Sequence, residues 1–277
     1  MKKVMFATAL AAFCGAVMAD GSIESQNIVG YNTITIADTS TKDQFYIAGC
    51  QFKDANSAGQ TIAVSDLVKF TGVTPGTVKT KASAPQLQVW NPAADAYSWK
   101  YYYVSDATLQ AGGTGTAWIP VSGKIETTDT VALGTAFWLK VPQGKADGGT
   151  ATATFAGEVL TDAKTKTFTV GKDNEYCLII NPFPVALTID MLSASGLVPA
   201  TVKTKASAPQ IQVWDQSAEG YAKKFYYVSD ANLTAGGTGT AWIPVSGKNQ
   251  ATGTIADVGC GFWVKSSAEA TLTITIP

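Results

Sequence analysis

The chain has 277 residues, of which 15% are charged, and its 20 basic and 21 acidic side chains leave a net charge of −1. Every basic residue is Lys, since the sequence contains no Arg and no His. Nucleic-acid binding is therefore not expected, because there is no basic excess to displace counterions and no guanidinium to read guanine. Ser-His-Asp and Cys-His catalysis lack their base, and a zinc site loses its commonest nitrogen ligand.

Lys2 and Lys3 precede an apolar run from Val4 to Met18 that ends in Ala19. Basic n-region, short apolar core and small residues at the cleavage point define a secretory signal peptide over 1–19, cut before Asp20. A membrane helix needs about 20 apolar residues. The run is shorter and no second one follows, so no membrane span is expected. A lipid anchor on Cys14 is disfavoured by the bulky Phe13 before it. The mature chain should be secreted, at the cell surface or extracellular, with the periplasm as the other destination.

The mature chain repeats itself. Residues 77–124 and 201–248 align without a gap at an offset of 124, and 37 of the 48 positions are identical. So long a period marks two copies of one domain rather than a solenoid of short units. The expected organisation is a first domain over 20–157 and a second over 158–277. The joint, 157–166, is too short for a flexible tether, so the two should touch.

Strand signals dominate both copies. β-Branched and aromatic runs occur at 27–36, 45–52, 86–90, 99–104, 117–121, 136–141 and 150–155. The second copy supplies 165–170, 176–181, 210–214, 223–228, 241–245, 261–265 and 270–276. They are short and separated by Gly, Pro, Asn, Asp and Ser, as in antiparallel sandwiches and barrels. The expected class is all-β: two tandem homologous β-sandwich-like or barrel-like domains, with one short helical turn in each, at 65–70 and 189–194.

Each feature that could carry chemistry has a plainer structural reading. Trp90, Trp118 and Trp138 recur as Trp214, Trp242 and Trp263, which marks them as core or near-core residues. Trp99 has Lys223 as its counterpart, so the fold does not require it. At strand periodicity Tyr97, Trp99, Tyr101 and Tyr103 share one face, and they are the candidate ligand-binding row for stacking on sugar rings or on a partner. The loop Ala111–Thr116 and its copy 235–240 read as tight glycine turns, since they lack the Lys-Ser/Thr ending of a phosphate loop. The identical segments 79–85 and 203–209 reflect recent duplication or a shared partner. A glycosidase-type carboxylate pair would draw on Asp106 with Asp66 or Asp95, or on Asp230 with Asp190 or Glu219. Such residues beside turns are more often turn formers. Cys50, Cys177 and Cys260 are not at equivalent places in the two copies, which favours buried thiols over a duplicated disulfide. No catalytic residue, metal site or cofactor is assigned.

Three phrases, at 25–31 (SQNIVGY), 154–159 (TFAGEV) and the Gly-x-x-Phe-Trp-Leu/Val-Lys of 134–140 and 259–265, resemble secreted β-rich envelope proteins of the Verrucomicrobia, Lentisphaerae and Planctomycetes group. The resemblance implies an exported envelope protein and transfers no active site. The expected function is a non-catalytic structural or surface-assembly protein, such as a surface-layer, filament or matrix subunit, with itself or other envelope proteins as partner. A polysaccharide-binding module pair is the alternative and an envelope glycosidase a more distant one. The terminal strands, 28–36 or 272–276, are the expected means of joining a neighbour's sheet edge.

Overall fold

The computed structural model describes residues 29–54, 60–91, 96–105, 115–146, 150–159, 164–171, 176–215, 218–230 and 239–277. The signal segment, Asn27, Ile28, Asp95, Asp106 and most of both glycine loops lie outside them. The protein is all-β. In the first half the strands are β1 (Val29–Thr35), β2 (Gln44–Gly49), β3 (Phe52–Lys53), β4 (Thr61–Ala63), β5 (Lys69–Thr71), β6 (Gln86–Asn91), β7 (Ala96–Val104), β8 (Ala117–Pro120), β9 (Thr130–Ala132), β10 (Ala136–Val141) and β11 (Thr152–Val159). The second half carries β12 (Thr165–Val170), β13 (Tyr176–Ile180), β14 (Leu187–Thr188), β15 (Leu192–Ser195), β16 (Gln210–Asp215), β17 (Gly220–Val228), β18 (Ala241–Pro244), β19 (Thr254–Ala256), β20 (Gly261–Lys265) and β21 (Ala270–Thr275).

The two halves repeat one topology. A five-stranded antiparallel sheet runs β2-β10-β6-β7-β8 in the first and β13-β20-β16-β17-β18 in the second. A smaller sheet places β11 between β1 and the pair β3 and β5, and its counterpart runs β12-β21-β15. A two-stranded ribbon completes each half, β4 with β9 and β14 with β19. One apolar cluster per half draws on both sheets: Leu87, Tyr101, Phe137 and Leu139 meet Ala153 and Phe155 in the first, and Ile179, Ile211, Phe262 and Val264 meet Leu272 and Ile274 in the second. Period-two alternation explains the assignment, because Phe137, Leu139 and Val141 of β10 point to one face and Ala136 and Trp138 to the other. A strand apolar on both faces is covered on both faces.

The helical expectations need correction. A single turn of helix, α1 (Val64–Leu67), stands where a segment reaching Phe70 was expected, and Lys69–Thr71 is instead β5, paired with β11. In the second copy Ile189–Met191 is one 3-10 turn, and Leu192–Ser195 is β15, paired with β21. In both copies the adjacent strand offers a ladder that a four-residue helix cannot match, since helix nucleation fixes several residues for one hydrogen bond. Each copy also has a second turn, Lys81–Ser83 and Val202–Ser207, so one helical turn per copy is too few.

The C-terminal strand is not free to join a neighbour. β21 lies between β12 and β15, with both edges hydrogen-bonded. By contrast β1 lies at the margin of its sheet and, among the described residues, pairs on one side only, with β11, over seven consecutive positions.

Candidate functional site

The aromatic row dissolves on folding. In the β6–β7 pair, Val89 is opposite Trp99 and Trp90 is opposite Tyr97, so one extra residue, Ser98, bulges out between them. A bulge reverses the alternation beyond it. Tyr101 therefore points inward, 1% exposed, with its hydroxyl donating to Asp129 Oδ2 at 2.8 Å. Tyr103 packs on the same core against Phe70 and Trp118 and donates to Thr116 Oγ1 at 2.9 Å. Tyr97 lies on the opposite face, against Trp90. Trp99 stands in register with Val89, and its side chain is outside the described residues. The four rings thus do not form one exposed stacking platform.

Tyr97 belongs instead to a seam between the two halves, which are in contact as the short joint requires. The outer faces of the five-stranded sheets meet there, bringing Ile47, Ala136, Trp90, Tyr97 and Trp138 against Leu178, Ile180, Tyr176, Trp214 and Trp263. The contacts occur in pairs. Trp90 meets Trp263 at a centroid separation of 4.8 Å and 84°, and Trp214 meets Trp138 at 5.0 Å and 85°. Trp90 with Tyr97 and Trp214 with Tyr221 repeat each other at 5.1 and 5.3 Å. Lys140 over Phe45 is matched by Lys265 over Tyr176. Sequence alignment makes these pairs equivalent, so the halves pack about a local two-fold axis through the same face of each, as in an isologous dimer.

The symmetry is broken where bulk is exchanged. Gly49 has no room for a Cβ beneath Ile180, its own alignment partner, and a Cβ on Gly261 would meet Ile47 Cγ2 at 2.5 Å. Each half supplies a glycine notch for an aliphatic side chain of the other. Polar ties surround the notches. Asn32 Nδ2 donates to the Val258 carbonyl at 3.0 Å, Gln51 Nε2 donates to the Asn181 carbonyl at 3.2 Å, and Lys42 pairs with Glu219.

The identical segments 79–85 and 203–209 acquire a structural cause. Thr77 and Thr80 exchange N–H to hydroxyl hydrogen bonds just before one 3-10 turn, and the same exchange between Thr201 and Thr204 forms a capping box on the other. Lys81 donates to the Val121 carbonyl, and Lys205 repeats this with Val245. Each lysine ties the turn after the last strand of its five-stranded sheet, so both copies need it.

One polar cluster distinguishes the halves. Asp129 Oδ2 accepts from Tyr101 and from Thr127 Oγ1 at 2.9 Å. The aligned residues are Gly253, Phe225 and Ala251, so all three polar groups are replaced together. An open depression of about 350 Å³ lies there, lined by Phe225, Pro244, Lys248, Gln250 and Ala251 among others.

Three of the described carboxylates of the glycosidase reading have other partners. Asp66 pairs with Lys69 at 3.0 Å, Glu219 with Lys42, and Asp230 accepts the Val202 N–H at 2.6 Å. Cys50 and Cys177 are buried cysteines and Cys260 is half-buried. Burial pushes Cys50 up to about 12 and Cys260 up to about 11, the direction opposite to that of a nucleophilic thiolate. No group of His, Cys, Asp and Glu suited to a metal ion occurs among the described residues. No helix there is long and apolar enough to cross a membrane. The sequence matches no protein-family model and no curated protein.

Sequence reasoning did not find the seam, although its signal was present. In Phe137-Trp138-Leu139 an aromatic residue alternates with two inward residues, which makes the strand apolar on both faces. That pattern places Trp138 under a second layer.

Proposed function

We propose that the chain is a secreted, non-catalytic structural subunit of the cell exterior, exported by its N-terminal signal peptide. It is built as two tandem β-sandwich-like domains, 20–157 and 158–277, in which a five-stranded sheet closes over a smaller one. The observation that carries this reading is the seam. Two copies of one fold join through the same aromatic face, with a notch and a bulky side chain matched in each direction. A unit that associates with its own kind through a shaped surface is what a filament, surface layer or matrix requires.

Supporting this, the side chains most able to do chemistry are used for packing: thiols within apolar clusters, tyrosines and tryptophans in the cores or the seam. Polysaccharide stacking finds less support, because Tyr97, Tyr101 and Tyr103 are divided between two faces by the Ser98 bulge. The partner is a further copy of the chain or another envelope protein.

The test is light scattering after size exclusion on purified residues 20–277, with negative-stain imaging of the same fractions. Ordered filaments, sheets or discrete oligomers are the expected result. A monomer at every concentration, together with binding to a polysaccharide panel, would overturn the proposal.

A further inference from the structure

Sheet edges expose unpaired N–H and C=O groups, and proteins usually protect them with charge, proline, short length or a covering element. The edges here can be compared one by one. β8 and β18 are four residues long and end in Pro120 and Pro244. β2 is bridged at Ala48 to Cys260 of the other half, and β13 lies in the seam through Leu178 and Ile180. β3, β5 and β15 have two, three and four residues, with Lys53 and Lys69 in the first two. β12 carries Lys166 within it and Lys164 just before it.

β1 has none of these devices. It is seven residues long, VGYNTIT, with no charge and no proline, and its ladder with β11 runs from Val29–Glu158 to Thr35–Thr152 without a register shift. Beside its free edge Val29 is 71% exposed, the highest value among the exposed large apolar residues described, and Tyr31 is 65% exposed, a value shared by Val198. The inward residues hold the strand in place, since Asn32 is bonded to Val258 and Ile34 packs on the first core. An unbroken, neutral edge with flanking apolar side chains is a template for another strand.

We propose that β1 is a self-association edge and that its occupant is β1 of a second copy, paired antiparallel about a two-fold axis. The occupant follows from the edge itself. The backbone groups require an extended strand, and a strand without charge meets no repulsion from its own copy. The full-overlap register centres on Asn32 and joins the two small sheets into one. It places Tyr31 opposite Thr33 of the copy, twice, and Val29 opposite Thr35, and aromatic with β-branched residues is a favourable cross-strand pairing. This inference rests on the assembly reading and names its contact.

The experiment compares residues 20–277 with two variants by size exclusion with light scattering across a concentration series. Tyr31→Lys with Thr33→Lys puts like charges directly opposite at two places. It is expected to remove the two-chain species, leaving the mass of one chain and an unchanged circular dichroism spectrum. Tyr31→Lys with Thr33→Glu makes both pairs complementary and is expected to restore the dimer, which a folding defect would not do. Hydrogen exchange on the unmodified chain should show protection of alternate β1 amides that rises with concentration. A dimer or filament that persists in the double-lysine variant overturns the β1 contact while leaving the assembly reading standing. A wild-type chain that stays monomeric, with concentration-independent exchange, overturns the β1 contact, and overturns the assembly reading as well when the same chain binds the polysaccharide panel.

Discussion

Trp90 of the first half meets Trp263 of the second edge to face, at a centroid separation of 4.8 Å, and the aligned pair Trp214 and Trp138 repeats the contact at 5.0 Å. Aromatic pairs in this geometry contribute about 0.5–1.5 kcal/mol beyond the area they bury. The seam has two such pairs at its centre, so it should be a major source of stability for the whole chain. Trp263→Ala is expected to cost about 3–5 kcal/mol, the range for large aromatic truncations. A double-mutant cycle with Trp90→Ala should show coupling of about 0.5–1.5 kcal/mol. Urea denaturation of the four proteins measures both. Strictly additive losses would show that the rings do not interact.

Gly49 should resist enlargement more than an ordinary strand glycine. A Cβ there would press on Ile180 and come within 2.7 Å of the Thr135 carbonyl oxygen. Overpacking of this kind costs about 1–3 kcal/mol. Gly49→Ala should lower the denaturation midpoint, and adding Ile180→Val should recover only part of the loss, because the Thr135 backbone remains. Full recovery would locate the strain in Ile180 alone, and no loss at all would refute the notch.

The Tyr101–Asp129–Thr127 cluster predicts unequal losses for reciprocal substitutions at aligned positions. Tyr101→Phe removes a buried hydroxyl whose acceptor stays on the surface, at a cost of about 0.5–1.5 kcal/mol. Phe225→Tyr introduces a hydroxyl where Gly253 and Ala251 provide no side-chain acceptor. The hydroxyl would face the open depression lined by Phe225 and Ala251, where water can accept from it, so this change should cost less than the loss of the Tyr101–Asp129 bond. Thermal unfolding of the two single mutants ranks them, and a larger loss in Phe225→Tyr than in Tyr101→Phe would contradict the argument.

Alkaline pH should destabilise the protein. Burial is the largest cause raising Tyr46, Tyr97, Tyr101 and Tyr221, and it raises Cys50 to about 12 and Cys260 to about 11. Groups with raised folded values deprotonate first in the unfolded chain, so their contribution is complete below the unfolded pKa and is lost as pH rises through the folded one. The window opens near the ordinary thiol value of 9.0 and extends to about 12. Denaturation midpoints measured from pH 7 to 11 should fall above pH 9, and the slope should be shallower in Cys50→Ala. A midpoint constant to pH 11 would contradict the burial of these groups.

The same burial governs thiol reactivity. Cys50 is 1% exposed, with its sulfur 3.1 Å from the Phe52 carbonyl oxygen. At neutral pH a soluble disulfide reagent should leave Cys50 unmodified in the folded chain and modify it on unfolding. Peptide mapping after timed labelling provides the readout, and rapid labelling of the native protein would show that the first core opens.

Much of this was legible in the residues. β10, β12 and β20 fall on their expected bounds, because β-branched and aromatic alternation between turn residues is a local signal. The duplication needed only alignment. The single helical turns were overestimated because a capped apolar pair such as Leu67-Val68 carries no information about the strand that will lie beside Phe70. The seam was half-legible: the paired tryptophans could be recognised as buried, but not what buries them.

The sequence by itself determined the all-β class, the two copies and most strand positions, since each depends on neighbours along the chain. The tertiary structure decided which face each aromatic ring occupies, which strand edges are used, and that Trp90 and Trp263 meet. Those depend on register, where one additional residue at Ser98 sends Tyr97 to the opposite face, and on contacts between residues more than a hundred positions apart. No local pattern encodes such pairings, because side-chain burial is a property of the assembled sheets rather than of the strand.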